Sequence, residues 1–336
     1  MVWIFPITAA LGAILGGWTL LLVPLAAFVV VPVLDGVLGR DAWRPTRQQM
    51  LDLEHKVSFR YILVVYAVLQ TAMLVISLLQ WHSLHLWEQA ALILCAGIAT
   101  GGLGITIAHE FVHRAERAER AVGYALLAQV WYMHFAAEHV LGHHKNVGLP
   151  EDPASARRNE SIYRFLPRCI IGSWRHAWTM EVARLARKGL TPWTIHNRML
   201  RWLLIPAAWT VGAVAILGIG VLPFILGQAA MAILLLELVN YVEHYGLERV
   251  EIAPGVRERV LPRHSWESRY VVSNYLLVKL QRHSDHHVAP QRRYQALGLH
   301  DDSPQLPGGY PVMLLASLIP PLYRRLTHPI IDRMPR

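Results

Sequence analysis

Apolar residues run through the chain in long stretches, with the charged residues gathered in the segments between them. A helix needs roughly 20 apolar residues to cross a bilayer, and several stretches approach or exceed that length. The block 2–38 is too long for one comfortable span. It contains Gly16 and Gly17 near its middle and Pro24 and Pro32 beyond, which predicts two closely spaced helices. The run 59–80, the short polar piece WHSLHLWEQ and the run 90–108 read as a helical hairpin. The block 202–239 reads as another pair, split by Gly218, Gly220 and Pro223.

With 54% hydrophobic and only 16% charged residues over 336 positions, the composition is that of a polytopic membrane protein rather than of two soluble domains. The fold class expected is all-α integral membrane, with six transmembrane helices in three hairpins and one domain over 1–336. Arg40, Arg44, Arg47, Lys56 and Arg60 precede the second hairpin, and Arg114, Arg117 and Arg120 follow it. Further arginines fill 157–201 and 249–336, while the outer turns are nearly uncharged. Positive residues favour the cytoplasmic side, so 109–201 and 240–336 are expected to form a cytoplasmic helical cap on an inner-membrane protein. The apolar piece 121–137 is then embedded without crossing, since a span there would place 157–201 outside.

The net charge of +9 follows from this topology and from contact with anionic lipid, which removes the case for a nucleic-acid partner. Cys95 and Cys169 form no CxxC motif or disulfide framework. The N-terminus has no basic leader region and reads as the first membrane segment.

Eighteen histidines are present, and nine fall into four tight groups. HEFVH holds His109 and His113, EHVLGHH holds His139, His143 and His144, NYVEHYGL holds His244, and RHSDHH holds His283, His286 and His287. Imidazole is a neutral ligand for iron, zinc, copper or nickel, and residues at i and i+4 share a helix face. Four such pieces can enclose two ions. His55, His82 and His196 are isolated and read as capping or interfacial residues. Glu110, Glu138, Glu243 and Asp285 sit beside the ligands and are candidates to orient the imidazoles through their second ring nitrogens or to bind metal directly, the plainer reading being a helix-end carboxylate facing water. HEFVH also matches the HExxH pattern of zinc peptidases, which would leave seven clustered histidines unexplained.

The spacings HxxxH, HxxxHH and HxxHH are common to desaturases, sterol oxidases and carotene hydroxylases. NYVEHYGL is more selective and resembles the HYG box of alkane and xylene monooxygenases. Together with GHHKNVGLPEDPASAR and LQRHSDHHVAPQRRYQAL, it makes the sequence resemble the integral-membrane alkane 1-monooxygenase (alkane omega-hydroxylase) family of the fatty-acid desaturase-like superfamily. The likeness runs from Pro32 to SLIPPLYRRL, most of the chain. It implies two non-haem irons held by His109, His113, His139, His143, His144, His244, His283, His286 and His287, six transmembrane helices and a rubredoxin-type electron donor. The first box departs from the family in having Arg114 where lysine is usual, a change that leaves both ligands and alters an electrostatic or headgroup contact.

The activity implied is hydroxylation of the terminal methyl of medium- or long-chain n-alkanes to primary alcohols with O₂. The chain shows no GxGxxG fingerprint and no cysteine set for an iron–sulfur centre, so rubredoxin and its reductase belong to partners. Arg282, Arg292 and Arg293 offer a cationic face for an acidic carrier. Rival readings are methyl hydroxylation of alkyl-aromatics, acyl-chain desaturation and, outside enzymes, metal transport. Transport sites are expected near the bilayer midplane, whereas these histidines fall at and beyond the ends of the apolar runs.

Overall fold

The computed structural model describes residues 1–334; Arg336, the last of the positive charges counted above, lies outside them. Among the described residues five helices are long and apolar enough to cross a membrane: Gly17–Leu38, Ser58–Ser83, Leu86–Val112, Arg198–Leu217 and Ile219–His244. Ile4–Leu15 is apolar but has only 12 residues. At about 1.5 Å per residue it rises about 18 Å, short of the ~30 Å hydrocarbon core. The breaks fall where the glycines predict them, because Gly16 and Gly218 adopt φ of 65° and 86°, a region that disfavours any side chain.

Polar residues set several helix starts. Asn197 opens Arg198–Leu217 by accepting from the Met199 N–H at 2.8 Å. Glu88 accepts from the His85 N–H at 2.7 Å and from the Gly17 N–H at 2.6 Å, tying the start of Leu86–Val112 to the 2–38 block. The helix Arg117–Gln129 is 13 residues long, and no helix of spanning length covers 121–137. A short β-hairpin departs from an all-α fold: Glu251–Ala253 pairs antiparallel with Val256–Arg257. Pro254 and Gly255 form the turn between them, with Gly255 at φ 74°, so this piece makes a hairpin instead of a helix.

The chain divides into two compact units. The first comprises Met1–Ala26, Tyr61–His139 and Gly172–Leu236. The second comprises Ala27–Arg60, Val140–Ile171 and the described residues from Glu237 onward. In the first unit, Leu86–Val112 is the central helix. Its Gly101 lets the Ala232 backbone approach so closely that an added Cβ would lie 2.6 Å from the Ala232 Cα. Buried amides and hydroxyls join this packing: Tyr66 donates to the Ala99 carbonyl at 2.8 Å, and Thr100 donates to Gln228 at 3.0 Å. Large apolar side chains such as Leu11, Val68, Leu79, Leu204, Val211 and Ile216 are exposed on the helices of this unit, as lipid contact requires.

The second unit has a different interior. Asp35 accepts from the N–H groups of Val272 and Ser273 at 2.8 and 3.0 Å, and the fully buried Arg282 is paired with Asp41. Buried charge here is matched by partners, which offsets the cost of removing it from water.

Candidate metal centre

In the first unit, His109 lies on the short helix Thr106–Val112 and His113 caps its end. The i, i+4 spacing brings their ring centroids to 5.1 Å, and His139 closes the group at 4.4 Å from His109 and 5.1 Å from His113. Phe135 stacks on His139 at 4.7 Å, and all three imidazoles are buried. The helix is preceded by a π-helical segment, Ala99–Ile105, an irregularity common near functional sites.

A second π-helical segment, Glu138–His143, carries the next box. Its wider turn, with i→i+5 bonding, takes His143 off the face that His139 presents. His139 accordingly groups with the first box, while His143 joins His244, His283 and His287 in the second unit. In that group each residue offers one ligand atom within 4.8 Å of the others. His283 Nε2 lies 3.1 Å from His244 Nε2 and 2.9 Å from His287 Nε2, and His286 Nε2 lies 2.9 Å from His144 Nε2. The last box is thus divided as well, with His283 and His287 serving one group and His286 facing His144.

These distances fit a cation. Metal–imidazole bonds of about 2.0–2.2 Å place neighbouring nitrogens about 3 Å apart. A neutral imidazole has one N–H donor and one acceptor, so three converging Nε2 atoms are poorly satisfied by hydrogen bonds alone. Burial, followed by the neighbouring imidazoles, pushes His287 well below its usual pKa and keeps it in the neutral, ligating form.

Two of these rings, His143 and His244, are held on their far side as a ligand requires. His143 Nδ1 donates to Asp152 at 2.9 Å, and the same carboxylate oxygen accepts from Ser155 at 2.6 Å. Burial acts to raise the Asp152 carboxyl, but His143 and Ser155 bring it below the usual range. His244 Nδ1 faces the His264 carbonyl at 3.3 Å. His264 in turn accepts from the Leu261 N–H through Nδ1 and meets Glu258 through Nε2 at 3.0 Å. Both arrangements leave Nε2 for the cluster. Asp152 and His264 were not singled out from the sequence. Asp152 had a visible signal as the carboxylate of PEDPASAR directly after the second box, whereas His264 acts through its backbone and had none.

The four acidic candidates behave differently from one another. Glu243 lies beside the cluster, with one oxygen 3.3 Å from His283 Nε2 and the other accepting from Tyr310 at 3.0 Å. It therefore approaches the ligating nitrogen and not the far side of the ring. Glu138 meets His176 at 3.1 Å. Glu110 is buried and pairs with Arg114 at 2.8 Å, so Arg114 makes an internal contact and not one to a lipid headgroup. Asp285 accepts from the Gly298 N–H at 2.7 Å, meets His300 at 2.8 Å and pairs with Arg292. Burial would raise its carboxyl, yet His300, Arg292 and Gly298 hold it down at about 2.

One expectation is corrected. Arg282 is fully buried, paired with Asp41 and donating to the Leu297 carbonyl at 2.7 Å, so it cannot form part of a surface for a carrier protein. The carboxylate and carbonyl drew the guanidinium inward. The isolated histidines behave as structural groups: His82 Nε2 meets the Leu217 carbonyl at 3.1 Å, and His55 caps Arg47–Glu54.

Fold and site together define a helical membrane protein with largely buried imidazole groups able to hold metal, and residues 84–315, which include all nine clustered histidines, match the family model described as fatty acid desaturase. The chain is 41% identical over 309 residues to Alkane 1-monooxygenase 2 of Pseudomonas aeruginosa, covering 90% of this chain and 81% of that protein. It is 38% identical over 305 residues to the Alkane 1-monooxygenase of Acinetobacter baylyi, covering 90% and 74%. Similarity extends at 26% identity over 329 residues to the xylene/toluene monooxygenase hydroxylase component XylM of Pseudomonas putida, covering 96% and 85%. The chain belongs to the alkane 1-monooxygenase family within the fatty acid desaturase group, and it is a membrane monooxygenase.

Proposed function

We propose that the protein hydroxylates the terminal methyl of medium- or long-chain n-alkanes to primary alcohols, using O₂, two non-haem irons and electrons from a rubredoxin-type carrier with its reductase. The observation that carries this reading is the gathering of the box histidines, HYG-box His244 included, into groups with metal-ligand spacing in a chain of this family. In this reading all nine histidines serve the irons, Glu243 adjoins them, and Asp152 and the His264 carbonyl orient His143 and His244. Glu110, Glu138 and Asp285 support the ligand-bearing segments. The chain acts as one catalytic domain with six helices in the inner membrane, the short Ile4–Leu15 among them, and its histidines on the cytoplasmic side, which the distribution of arginine favours.

A terminal C–H bond is strong and offers no polar handle, so the protein's task is to orient the chain and exclude water. The irons, when bound, supply the reduction of O₂ and the insertion of one oxygen atom into that bond, the other leaving as water. Burial of His143, His244, His283 and His287 supports water exclusion, and the hydrogen bonds to Asp152 and His264 keep the His143 and His244 rings from turning. The higher identity to the alkane enzymes than to XylM favours a linear substrate over an alkyl-aromatic one.

The test is product analysis of the membrane-expressed protein given n-octane, n-hexadecane and p-xylene with rubredoxin and its reductase. Primary alkanols are expected, methylbenzyl alcohol would shift the reading to the aromatic substrate, and absence of oxygenated product from iron-loaded protein would overturn it.

A further inference from the structure

NYVEHYGL and SLIPPLYRRL each contribute tyrosines that the metal centre does not use. In the second unit these tyrosines meet. Tyr241, Tyr245 and Tyr323 form a closed triangle with ring centroids 5.1, 5.3 and 5.2 Å apart, and none has any exposed surface. Tyr245 directly follows the ligand His244, and the fully buried Trp266 donates its indole N–H to the Tyr245 carbonyl at 2.9 Å. On the other side the Tyr245 hydroxyl lies 3.0 Å from His328 Nε2, with the two rings stacked and His328 half-buried. From Tyr245, joined to the ligand His244 through the backbone, a file of aromatic rings therefore runs to His328 at the edge of the unit.

Packing alone does not account for the hydroxyls. The Tyr323 hydroxyl is buried with no hydrogen-bond partner among the described residues, a cost that phenylalanine would avoid. Tyr241 donates to the Glu160 carbonyl at 2.7 Å, so its proton is engaged. The Tyr245 oxygen accepts from the Asn159 N–H at 3.1 Å, and with the His328 proton on Nδ1 the Tyr245 proton is directed at His328 Nε2. Phenol is among the most readily oxidised side chains, and its one-electron oxidation proceeds well only where the proton has an acceptor.

We propose that this triangle is a discharge route that protects the ligand histidines when O₂ is reduced with no hydrocarbon in place. One electron passes from the tyrosine cluster to the oxidised metal centre, which is reduced by one electron, and the Tyr245 proton crosses to His328 Nε2, leaving a neutral phenoxyl radical. The hole is shared among the three rings. A small one-electron reductant of the thiol or ascorbate class, acting at the His328 edge, returns the electron, and His328 returns the proton. The inference rests on the oxygen-activating centre proposed above.

The experiment exposes dithionite-reduced, iron-loaded full-length protein to O₂ without hydrocarbon. Frozen samples are read by electron paramagnetic resonance, and oxidation of the ligand histidines is mapped by mass spectrometry. Wild type is expected to give a tyrosyl radical. Tyr245→Phe and Tyr323→Phe are expected to lose most of that signal and to oxidise their ligand histidines several-fold faster, while the initial rate of octane hydroxylation by Tyr323→Phe stays at the wild-type value. Tyr323→Phe removes only an unbonded hydroxyl, so its fold and iron content serve as the control. A wild type that makes octanol but no tyrosyl radical would overturn the discharge route and leave the hydroxylase reading standing. Histidine oxidation at the wild-type rate in both variants would do the same. Absence of octanol from iron-loaded wild type would overturn both.

Discussion

Leu86–Val112 and Arg198–Leu217 are both apolar helices of spanning length in the same unit, yet 78% of the apolar window of the first is buried and only 11% of the second. The difference lies in what each presents to its neighbours. Leu86–Val112 carries Gly97 and Gly101, where an added Cβ would fall 2.5 Å from the Met231 side chain and 2.6 Å from the Ala232 backbone. Gly212 of the other helix faces open space. Between transmembrane helices apolarity itself supplies little attraction, so close backbone approach and buried polar contacts decide which helix becomes central. The central helix also carries His109 and leads to His113, so placement of these candidate ligands and tight packing coincide. The peripheral helix is held at its start, where Asn197 caps it and Glu181 accepts from the Arg198 N–H at 2.7 Å.

The contrast can be broken most directly at its functional end. Replacing His109 with Ala is expected to reduce hydroxylation to background and to lower bound iron, whereas Ile216→Ala on the exposed helix leaves both unchanged; equal effects in iron analysis and product assay would end the distinction. At the next level, Gly101→Val forces a side chain into the Ala232 backbone and is expected to destabilise by about 1–3 kcal/mol, while Gly212→Val changes little. Thermal unfolding in detergent reads both, and the comparison fails if the two shifts match. Asn197→Ala removes the cap and is expected to cost about 1 kcal/mol in the same measurement, without altering turnover.

The smallest effect appears only in acid. Burial would raise the Glu181 carboxyl, but hydrogen bonds from Arg184 and Arg198 bring it from the usual 4.5 to about 2. The folded state thus holds the ionised form more tightly than the unfolded chain does. This contribution is fully present above pH 4.5 and is lost as the pH falls towards 2. Glu181→Gln should therefore show a shallower loss of stability over that window than wild type, and identical acid profiles would remove Glu181 as the anchor.

Much of this was legible along the chain, because the signals are local. Gly16 and Gly218 mark helix breaks through their own backbone conformation, and His109 with His113 declare a shared face through spacing alone. The same local rule misread EHVLGHH. A regular helix would have kept His139 and His143 together, but the π-helical segment separates them, and nothing in the spacing announces it. Arg282 looked like surface charge because its partner Asp41 lies 241 residues away.

By itself the sequence determined the solvent, the number and rough limits of the apolar segments, and the imidazole chemistry, since each is a sum over neighbouring residues. Only the tertiary structure decided which apolar helix is central, how the histidines divide into groups, and that Asp152 and the His264 carbonyl hold His143 and His244 in place. Those outcomes depend on atoms brought together from distant parts of the chain, where distance, direction and burial set the energy and residue type alone does not.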